Sequence, residues 1–215
     1  MKVYFVRHGE TEYNAKDFHQ DEKAVLSCEG LKQARVLAKR FSKIPIDLIL
    51  ASPMQRTRQT VEIINNVVKK EIIYSDLTKE WKRPSEFACK KKRSPVEMKF
   101  RQLADLNQDD PKWHYLDEEN FIEFKKRIKK LLDFLTLKVK KENVLVVSHG
   151  GPIKMITLMM ALGEKITPQI FYGFVDTFRV NNTSITLCQR KKSDWWSKKG
   201  EQWSVEAFND HRHLG

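Results

Sequence analysis

The sequence has no apolar run long enough to cross a membrane. The longest, from Met155 to Leu162, is interrupted by Thr157 and falls far below the roughly 20 residues that a transmembrane helix needs. The apolar stretch within residues 1–6 is too brief for a signal peptide. We therefore expect no membrane partner and no secretion, and predict a cytoplasmic location.

Cysteine is scarce. The 215 residues include only 3 cysteines, Cys28, Cys89 and Cys188, which lie far apart and form no C-x-x-C pair. This pattern is typical of reduced thiols, and a disulfide scaffold is not needed. The histidines show no metal spacing of the H-x-E-x-x-H kind, so the sequence predicts neither a metal nor another cofactor.

Acidic residues are in the minority. The chain has 40 Lys and Arg against 28 Asp and Glu, a net charge of +12. Such a charge attracts anions in general, whether nucleic acids, anionic lipids or phosphorylated metabolites. No zinc-finger spacing or RNP-like aromatic string accompanies it, so we expect no specific nucleic-acid partner and interpret most basic clusters as solvated surface.

Short aliphatic runs alternate with amphipathic stretches. Runs typical of buried parallel strands lie at 3–6, 48–51, 72–74 and 144–147. Helical patterns lie at about 27–41, 53–68, 118–137 and 151–162, and late strands are indicated near 184–188 and 203–208. This order predicts an α/β fold, a three-layer sandwich with a mostly parallel central sheet flanked by helices.

One segment interrupts this alternation. From residue 81 to about 116 the chain contains Pro84, Pro95 and Pro111, basic clusters and little periodicity. We interpret residues 1–215 as a single domain in which this insertion forms a lid or one side of a pocket.

Polar residues follow each of the four predicted parallel strands. Ligands of open parallel sheets bind outside the carboxyl ends of the strands, where the following loops converge. The residues at these ends are Arg7-His8-Gly9, then Ser52-Pro53 with Arg56, then Glu80, and finally Ser148-His149-Gly150. We therefore expect two histidines, two arginines and a carboxylate to meet at one edge of the sheet.

The same segments resemble a known family, the histidine phosphatase superfamily, which includes phosphoglycerate mutases and many small-ester phosphatases. The similar motifs are Val3-Tyr4-Phe5-Val6-Arg7-His8-Gly9-Glu10-Thr11 with Asn14, Leu26-Ser27-x-x-Gly30-x-x-Gln33-Ala34, Ser52-Pro53-x-x-Arg56-Thr57-x-Gln59-Thr60, and Val146-Val147-Ser148-His149-Gly150-Gly151. Four motifs in this order are far more specific than the Arg-His-Gly string alone.

The resemblance implies a role for each matching residue. It makes His8 the nucleophile, and a neutral imidazole can attack phosphorus and form a phosphohistidine. Arg7 and Arg56 would clamp the phosphoryl group with planar forks. His149 would complete the phosphate pocket and Asn14 would donate a further hydrogen bond to it. Small glycines, Gly9 and Gly150, would leave room for close approach.

A leaving alkoxide needs a proton, which a nearby carboxylic acid can supply. Glu80 is the candidate for this general acid. The family places its acid in an L-x-E pattern, whereas Leu77-Thr78-Lys79-Glu80 is one residue longer, so Glu86 and then Asp76 are the alternatives. Ser52 is interpreted as a helix cap at the pocket rim. Three further cations are candidates for contacting a second anionic group of the substrate: Lys82, Arg83 and Arg93.

The sequence thus predicts a metal-independent phosphatase acting on a small phosphorylated substrate, with no indication of its oligomeric state. A mutase is less favoured, since Glu80-Trp81-Lys82-Arg83-Pro84 replaces the acid-arginine-tyrosine-glycine stretch of the phosphoglycerate mutases. The remaining alternatives are a metal hydrolase using His8 and His149 with His211 or His213, a basic nucleic-acid-binding protein, and a catalytically silent binding protein.

Overall fold

A six-stranded sheet forms the centre of the protein. The structure is a computed structural model that describes residues 1–107, 110, 112–192 and 201–215. The strands are β1 (Lys2–Arg7), β2 (Leu48–Ala51), β3 (Ile72–Tyr74), β4 (Asn143–Ser148), β5 (Ile185–Lys192) and β6 (Glu201–Asp210). Their order is β3-β2-β4-β1-β5-β6. The first four pair in parallel, while β5 and β6 are antiparallel.

Helices cover both faces of this sheet. They are α1 (Glu12–Ala15), α2 (Cys28–Phe41), α3 (Gln55–Val68), α4 (Pro95–Leu106), α5 (Phe121–Leu137), α6 (Gly150–Leu162) and α7 (Pro168–Thr177). Tyr4 and Val6 of β1 face a core formed with α2 and α3. Val3 and Phe5 face a second core formed with α5, α6 and α7. The predicted three-layer α/β sandwich is confirmed.

Two predicted helix starts were a few residues early. The helix predicted from about 118 begins at Phe121, because the Asn120 side chain accepts the backbone N–H of Glu123 at 2.9 Å and so caps the first turn. The helix predicted from 53 begins at Gln55, after extended backbone at Met54. Ser27 caps α2, since its hydroxyl accepts the N–H of Gly30 at 3.0 Å.

The insertion contains a helix that the sequence pattern did not reveal. Phe100 and Ala104 of α4 pack with Phe87 in a small core of their own, against which Trp113 and Tyr115 also lie. Pro95, counted among the residues that interrupt the alternation, lies in the first turn of α4, where proline is tolerated, so it marks the start of a helix. The action of the insertion as a lid stays a prediction, and residues 108, 109 and Pro111 lie outside the described residues.

No helix within the described residues is both long and apolar enough to cross a membrane.

The loop after β1 packs directly on the first turn of α2. A Cβ atom on Gly30 would lie 2.0 Å from the carbonyl oxygen of Glu10, and one on Gly9 would lie 2.7 Å from the carbonyl oxygen of Gly30. The Gln33 side chain accepts the N–H of Glu10 at 3.0 Å. Gly9 was predicted to leave room for close approach of the backbone, and the group that approaches it is the carbonyl of Gly30.

A Gly30→Ala substitution tests this packing. Because the new methyl group meets backbone atoms, we expect the free energy of unfolding to fall by about 2–3 kcal/mol. Gly173→Ala in α7 is the control, since no atom lies within 4 Å of its Cβ position and alanine raises helix propensity by about 1 kcal/mol. Urea unfolding of both variants measures the difference, and similar stabilities for the two would contradict the close approach.

Candidate active site

The register of the central strands brings the two histidines together. Arg7 pairs with Ser148 across β1 and β4, so the residues that follow, His8 and His149, leave the sheet side by side. Their ring centroids are 5.1 Å apart. Ser52 leaves β2 at the same edge, where its N–H donates to the carbonyl of Val147 at 3.0 Å.

The imidazole of His8 is held in one tautomer. Its Nδ1 lies 2.7 Å from the carbonyl oxygen of Gly9, and because a carbonyl can only accept, Nδ1 carries the proton. The Nε2 atom of the neutral ring therefore keeps its lone pair. The Nε–H of Arg56 donates to this atom at 3.2 Å, and the His8 side chain is buried, with only 2% of the residue exposed.

The guanidinium groups of Arg56 and Arg7 are oriented by backbone carbonyls. Arg56 Nη1 donates to the carbonyl of Asp21 at 2.9 Å, and Arg7 Nη1 donates to that of Val180 at 2.6 Å. The first turn of α3 places Arg56, and the end of β1 places Arg7. Each side chain thus keeps donors for a ligand while its position is fixed.

His149 is fully buried at the start of α6. Its Nε2 lies 2.8 Å from Ser52 Oγ and 3.4 Å from Thr57 Oγ1, whereas its Nδ1 has no partner among the described residues. A buried ring nitrogen without a partner is costly unless a ligand completes it. Ser52 was predicted to cap α3, but Met54 holds the N-cap position and the Ser52 hydroxyl orients His149.

Burial and positive charge keep both histidines neutral. Burial lowers the pKa of His8 well below its usual value, and the charges of Arg56 and Arg7 lower it further. The pKa of His149 is lowered in the same way, by burial and then by Arg56, His8 and Arg7. Burial also lowers the pKa of Arg56 to about 10. The site therefore concentrates positive charge around two neutral rings, an environment that favours a bound anion.

Glu80 lies at the same edge, against the first turn of α6. Its Oε1 accepts the N–H of Gly151 at 3.0 Å and that of Trp81 at 3.0 Å. A Cβ on residue 151 would lie 2.4 Å from this oxygen, so glycine is required for the carboxylate to approach. Glu80 also raises the pKa of Arg7, against the larger lowering by burial.

The alternative acids lie elsewhere. Asp76 begins a short 3₁₀ turn, is exposed and forms an ion pair with Lys79 at 3.3 Å. Glu86 belongs to the insertion, where it is hydrogen-bonded to Tyr115 and raises the pKa of that phenol. Of the three carboxylates considered from the sequence, the structure brings only Glu80 to the histidines.

Arg127 of α5 forms hydrogen bonds with the backbone of the loop that carries Glu80. Its guanidinium donates to the carbonyls of Leu77 at 3.0 Å, Lys79 at 2.9 Å and Glu80 at 3.3 Å. Two further bonds, of 2.6 and 2.7 Å, reach the carboxylate of Glu119. A bidentate arginine with every branch engaged fixes the backbone from which Glu80 projects. The helical pattern at 118–137 does not predict this contact.

The remaining predicted residues lie close by. Asn14 uses its Oδ1 to accept the N–H of Thr11 at 3.3 Å and the amide of Asn182 at 3.3 Å, while its own amide nitrogen donates to none of the described residues. At Gly150 the nearest atom to a Cβ position is Arg7 Nε at 4.0 Å, so space remains open there.

Two residues near the site were missed from the sequence. Asn182 donates to the carbonyl of His8 at 2.9 Å. Because this contact joins distant segments, no local sequence pattern predicts it. Lys154 donates to the carbonyl of Val175 at 2.8 Å, and burial lowers its pKa, with Glu80 raising and Arg7 lowering it. It lies one helical turn after Gly150, and this spacing could have found it.

The arrangement provides a buried nucleophile, a cluster of cationic donors and a carboxylate at one sheet edge. No group of three or more His, Cys, Asp or Glu side chains within the described residues could hold a metal ion. The fold and the site together define an α/β protein suited to binding and transferring a charged group.

Comparisons with known proteins agree with this class. The sequence profile of the histidine phosphatase superfamily (branch 1) matches residues 3–202. A probable phosphatase of Schizosaccharomyces pombe is 31% identical over 220 residues, covering 100% of this chain and 95% of that protein. Probable phosphoglycerate mutase GpmB of Serratia proteamaculans is 28% identical over 218 residues, with the same two coverages of 100% and 95%.

A solved structure shares the fold. Phosphoserine phosphatase from Entamoeba histolytica, in complex with 3-phosphoglyceric acid, has a TM-score of 0.73 and 24% identity over 100% of this chain and 99% of its own. The chain belongs to the histidine phosphatase superfamily, and the resemblance read from its four motifs is confirmed.

The depressed pKa of His8 has a consequence for stability. Below about pH 6.5 the unfolded chain binds a proton at His8 that the native state does not, so the free energy of unfolding falls as pH is lowered, by up to about 1.4 kcal/mol per pH unit. Above that pH the contribution is constant. We expect His8→Asn to lose stability less steeply than the unsubstituted protein between pH 6.5 and 5, measured by urea unfolding.

Comparing the two proteins cancels the contributions of ionisable groups that both contain. One of these is Glu118, whose pKa is raised by burial to about 6 and whose contribution to stability changes with pH in the opposite direction. Parallel pH profiles for the two proteins would show that His8 is not held neutral.

Proposed function

We propose that this protein is a metal-independent phosphatase that hydrolyses a small phosphate monoester through a phosphohistidine on His8. The observation that carries the proposal is the state of the His8 ring, whose Nδ1 is bonded to the Gly9 carbonyl while the unprotonated Nε2 lies among cationic donors. A buried neutral imidazole in an anion site is suited to nucleophilic attack on phosphorus.

In the first step Nε2 of His8 attacks phosphorus, and the bond between phosphorus and the leaving oxygen breaks. Arg7 and Arg56 stabilise the charge on the equatorial oxygens, which favours the transition state. Glu80 in its protonated form gives its proton to the leaving oxygen and becomes a carboxylate.

In the second step the Glu80 carboxylate removes a proton from water, whose oxygen attacks the phosphohistidine. The bond from phosphorus to Nε2 breaks, and inorganic phosphate leaves. We propose that Nδ1 of His149, which has no partner among the described residues, and the amide of Asn14 form hydrogen bonds with the phosphoryl oxygens. The phosphoryl group would occupy the open space at Gly150.

A mutase is the second candidate, because relatives include proteins named both phosphoglycerate mutase and phosphatase. The two functions differ only in whether water or another hydroxyl accepts the phosphoryl group. Supplying 3-phosphoglycerate as acceptor and comparing transfer with phosphate release distinguishes them, and transfer exceeding hydrolysis would make the protein a mutase. We keep the cytoplasm as the proposed location, in line with the free thiols of Cys28, Cys89 and Cys188.

Replacement of the nucleophile should abolish turnover. We expect His8→Ala to lower kcat for p-nitrophenyl phosphate by at least about 10⁴-fold and to eliminate an acid-labile phosphoenzyme formed with ³²P-labelled substrate. The exposed His211 provides the control, and His211→Ala should retain both activity and labelling. The assays are run with and without a chelator. Substantial turnover by His8→Ala, or loss of the unsubstituted protein's activity when the chelator is added, would refute the mechanism.

The role of Glu80 predicts a dependence on the leaving group. p-Nitrophenolate leaves without a proton, whereas an alkoxide does not, so Glu80→Gln should slow alkyl phosphate hydrolysis about 100-fold more than p-nitrophenyl phosphate cleavage in the phosphorylation step. Glu86→Gln, a matched change in the insertion, should show no such selectivity. Single-turnover measurement of phosphoenzyme formation separates this step from the second, and equal slowing of both esters by Glu80→Gln would remove Glu80 as the acid.

A further inference from the structure

A tight turn at Asn182–Thr183, just before β5, binds the backbone of the nucleophile. The side-chain amide of Asn182 donates to the carbonyl of His8 at 2.9 Å and to Oδ1 of Asn14 at 3.3 Å. The N–H of Thr183 donates to the carbonyl of Arg7 at 3.0 Å and to that of His8 at 3.3 Å. The turn thus contacts three of the residues that the proposed mechanism uses.

Thr183 has an unfavourable backbone conformation. Its φ of +57° lies in the left-handed region, which a β-branched residue rarely adopts, and the residue is fully buried. Such a conformation is costly and persists only where the surrounding contacts enforce it, and strain of this kind is concentrated at functional sites. The strained residue is the one whose N–H binds the carbonyls of Arg7 and His8, which indicates a functional constraint at this contact.

The imidazole of His213, which follows β6, binds the side chain of Thr183. Nη1 of Arg40 in α2 can only donate, so Nδ1 of His213, 3.3 Å away, accepts and carries no proton. Nε2 of the neutral ring then donates to Oγ1 of Thr183 at 3.3 Å, and that hydroxyl donates to the carbonyl of Asn182 at 2.7 Å. A chain of hydrogen-bonded residues therefore runs from Arg40 to His8.

The surroundings of His213 keep its ring neutral. Burial is the main cause that lowers the pKa of His213 to about 4, and the charges of Arg40 and His211 act in the same direction. Asp210, which forms an ion pair with Arg40, has the opposite effect. A neutral ring is required in this chain, because a protonated Nδ1 would place one donor against another.

The backbone that this turn binds determines where the lone pair of His8 points. The ring of His8 is bonded through Nδ1 to the carbonyl of Gly9, so its orientation follows that of the backbone at residues 8 and 9. A displacement of about 1 Å can cost about 100-fold in rate when it misaligns reacting atoms. Contacts that fix the carbonyl of His8 therefore affect the chemical step.

We propose that Asn182, Thr183 and His213 form a positioning clasp that holds the backbone of His8, so that Nε2 is aligned with the phosphorus atom. The three residues act through His8 and are not assigned a contact with the reacting atoms. The inference rests on the phosphohistidine mechanism proposed above, and it adds residues that lie outside the four sequence motifs.

Removal of the Asn182 amide tests the contact with His8. Leucine has a similar shape without the donors, so Asn182→Leu should lower the maximal rate of phosphoenzyme formation from p-nitrophenyl phosphate about 30-fold in single-turnover experiments. The substrate concentration for half-maximal rate should change at most about 3-fold, because alignment affects the chemical step. Asn181→Leu is the control and should keep the rate, since Asn181 is hydrogen-bonded only through its backbone in the part of the chain described.

Two variants at the other end of the clasp test whether His213 acts through Thr183. Thr183→Val keeps the branched shape without the hydroxyl, and His213→Phe keeps an aromatic ring without the nitrogen atoms. Each should slow phosphoenzyme formation about 10-fold, and combining them should add at most about 2-fold, since both remove the same hydrogen bond. Thr183→Ser keeps the hydroxyl and should keep most of the rate. His211→Phe, a matched change at an exposed residue, should have no effect.

Urea unfolding of the same variants separates alignment from stability. Lower free energies of unfolding with an unchanged maximal rate would overturn the proposal, because the clasp would then only stabilise the fold. Equal slowing by Asn181→Leu and Asn182→Leu, or fully additive effects of Thr183→Val and His213→Phe, would overturn it as well. If Asn182→Leu does not fold, the latter two variants decide alone. Failure of the phosphohistidine mechanism itself appears separately, as turnover retained in His8→Ala.

Discussion

The parallel pairing of β1 with β4, in which Arg7 lies opposite Ser148, is the constraint on which the site depends. It places His8 and His149 5.1 Å apart although 140 residues separate them in sequence. A shift of one residue would turn the inward side chains of β1 to the opposite layer, so the two cores that hold this register also hold the site. Stability and chemistry therefore share the same strand pair.

Positive charge is the second organising feature. Arg7 and Arg56 lie beside two buried imidazoles, and the structure orients each guanidinium with a backbone carbonyl instead of a carboxylate. Their charge is thereby left for an anion, and the pKa of each histidine is lowered by burial and by these neighbours. A preorganised cluster of this kind needs little rearrangement when an anion binds.

The loop that carries Glu80 connects this cluster to the insertion. Arg127 fixes the backbone of this loop, and Gly151 lets the Glu80 carboxylate reach the first turn of α6. Trp81, the residue after Glu80, is buried in the core. Beyond Trp81 the chain enters a segment with its own small core around Phe100. This segment is also bonded to the loop after α1, where the N–H of His19 donates to the carbonyl of Lys90 at 2.8 Å and the His19 ring lies 2.9 Å from Glu97.

The sequence by itself determined the α/β alternation and the four parallel strands, because strand and helix periods are local signals. It also determined which polar residues follow the strands, since these too can be found locally: His8, Arg56, Glu80 and His149. Tertiary structure decided the rest. The position of Glu80 near the histidines, the orientation of His149 by Ser52 and the bonds from Arg127 to the loop that carries Glu80 all depend on contacts between segments far apart in the chain. Spacing within a segment carries no information about such contacts, since they arise only when the layers pack.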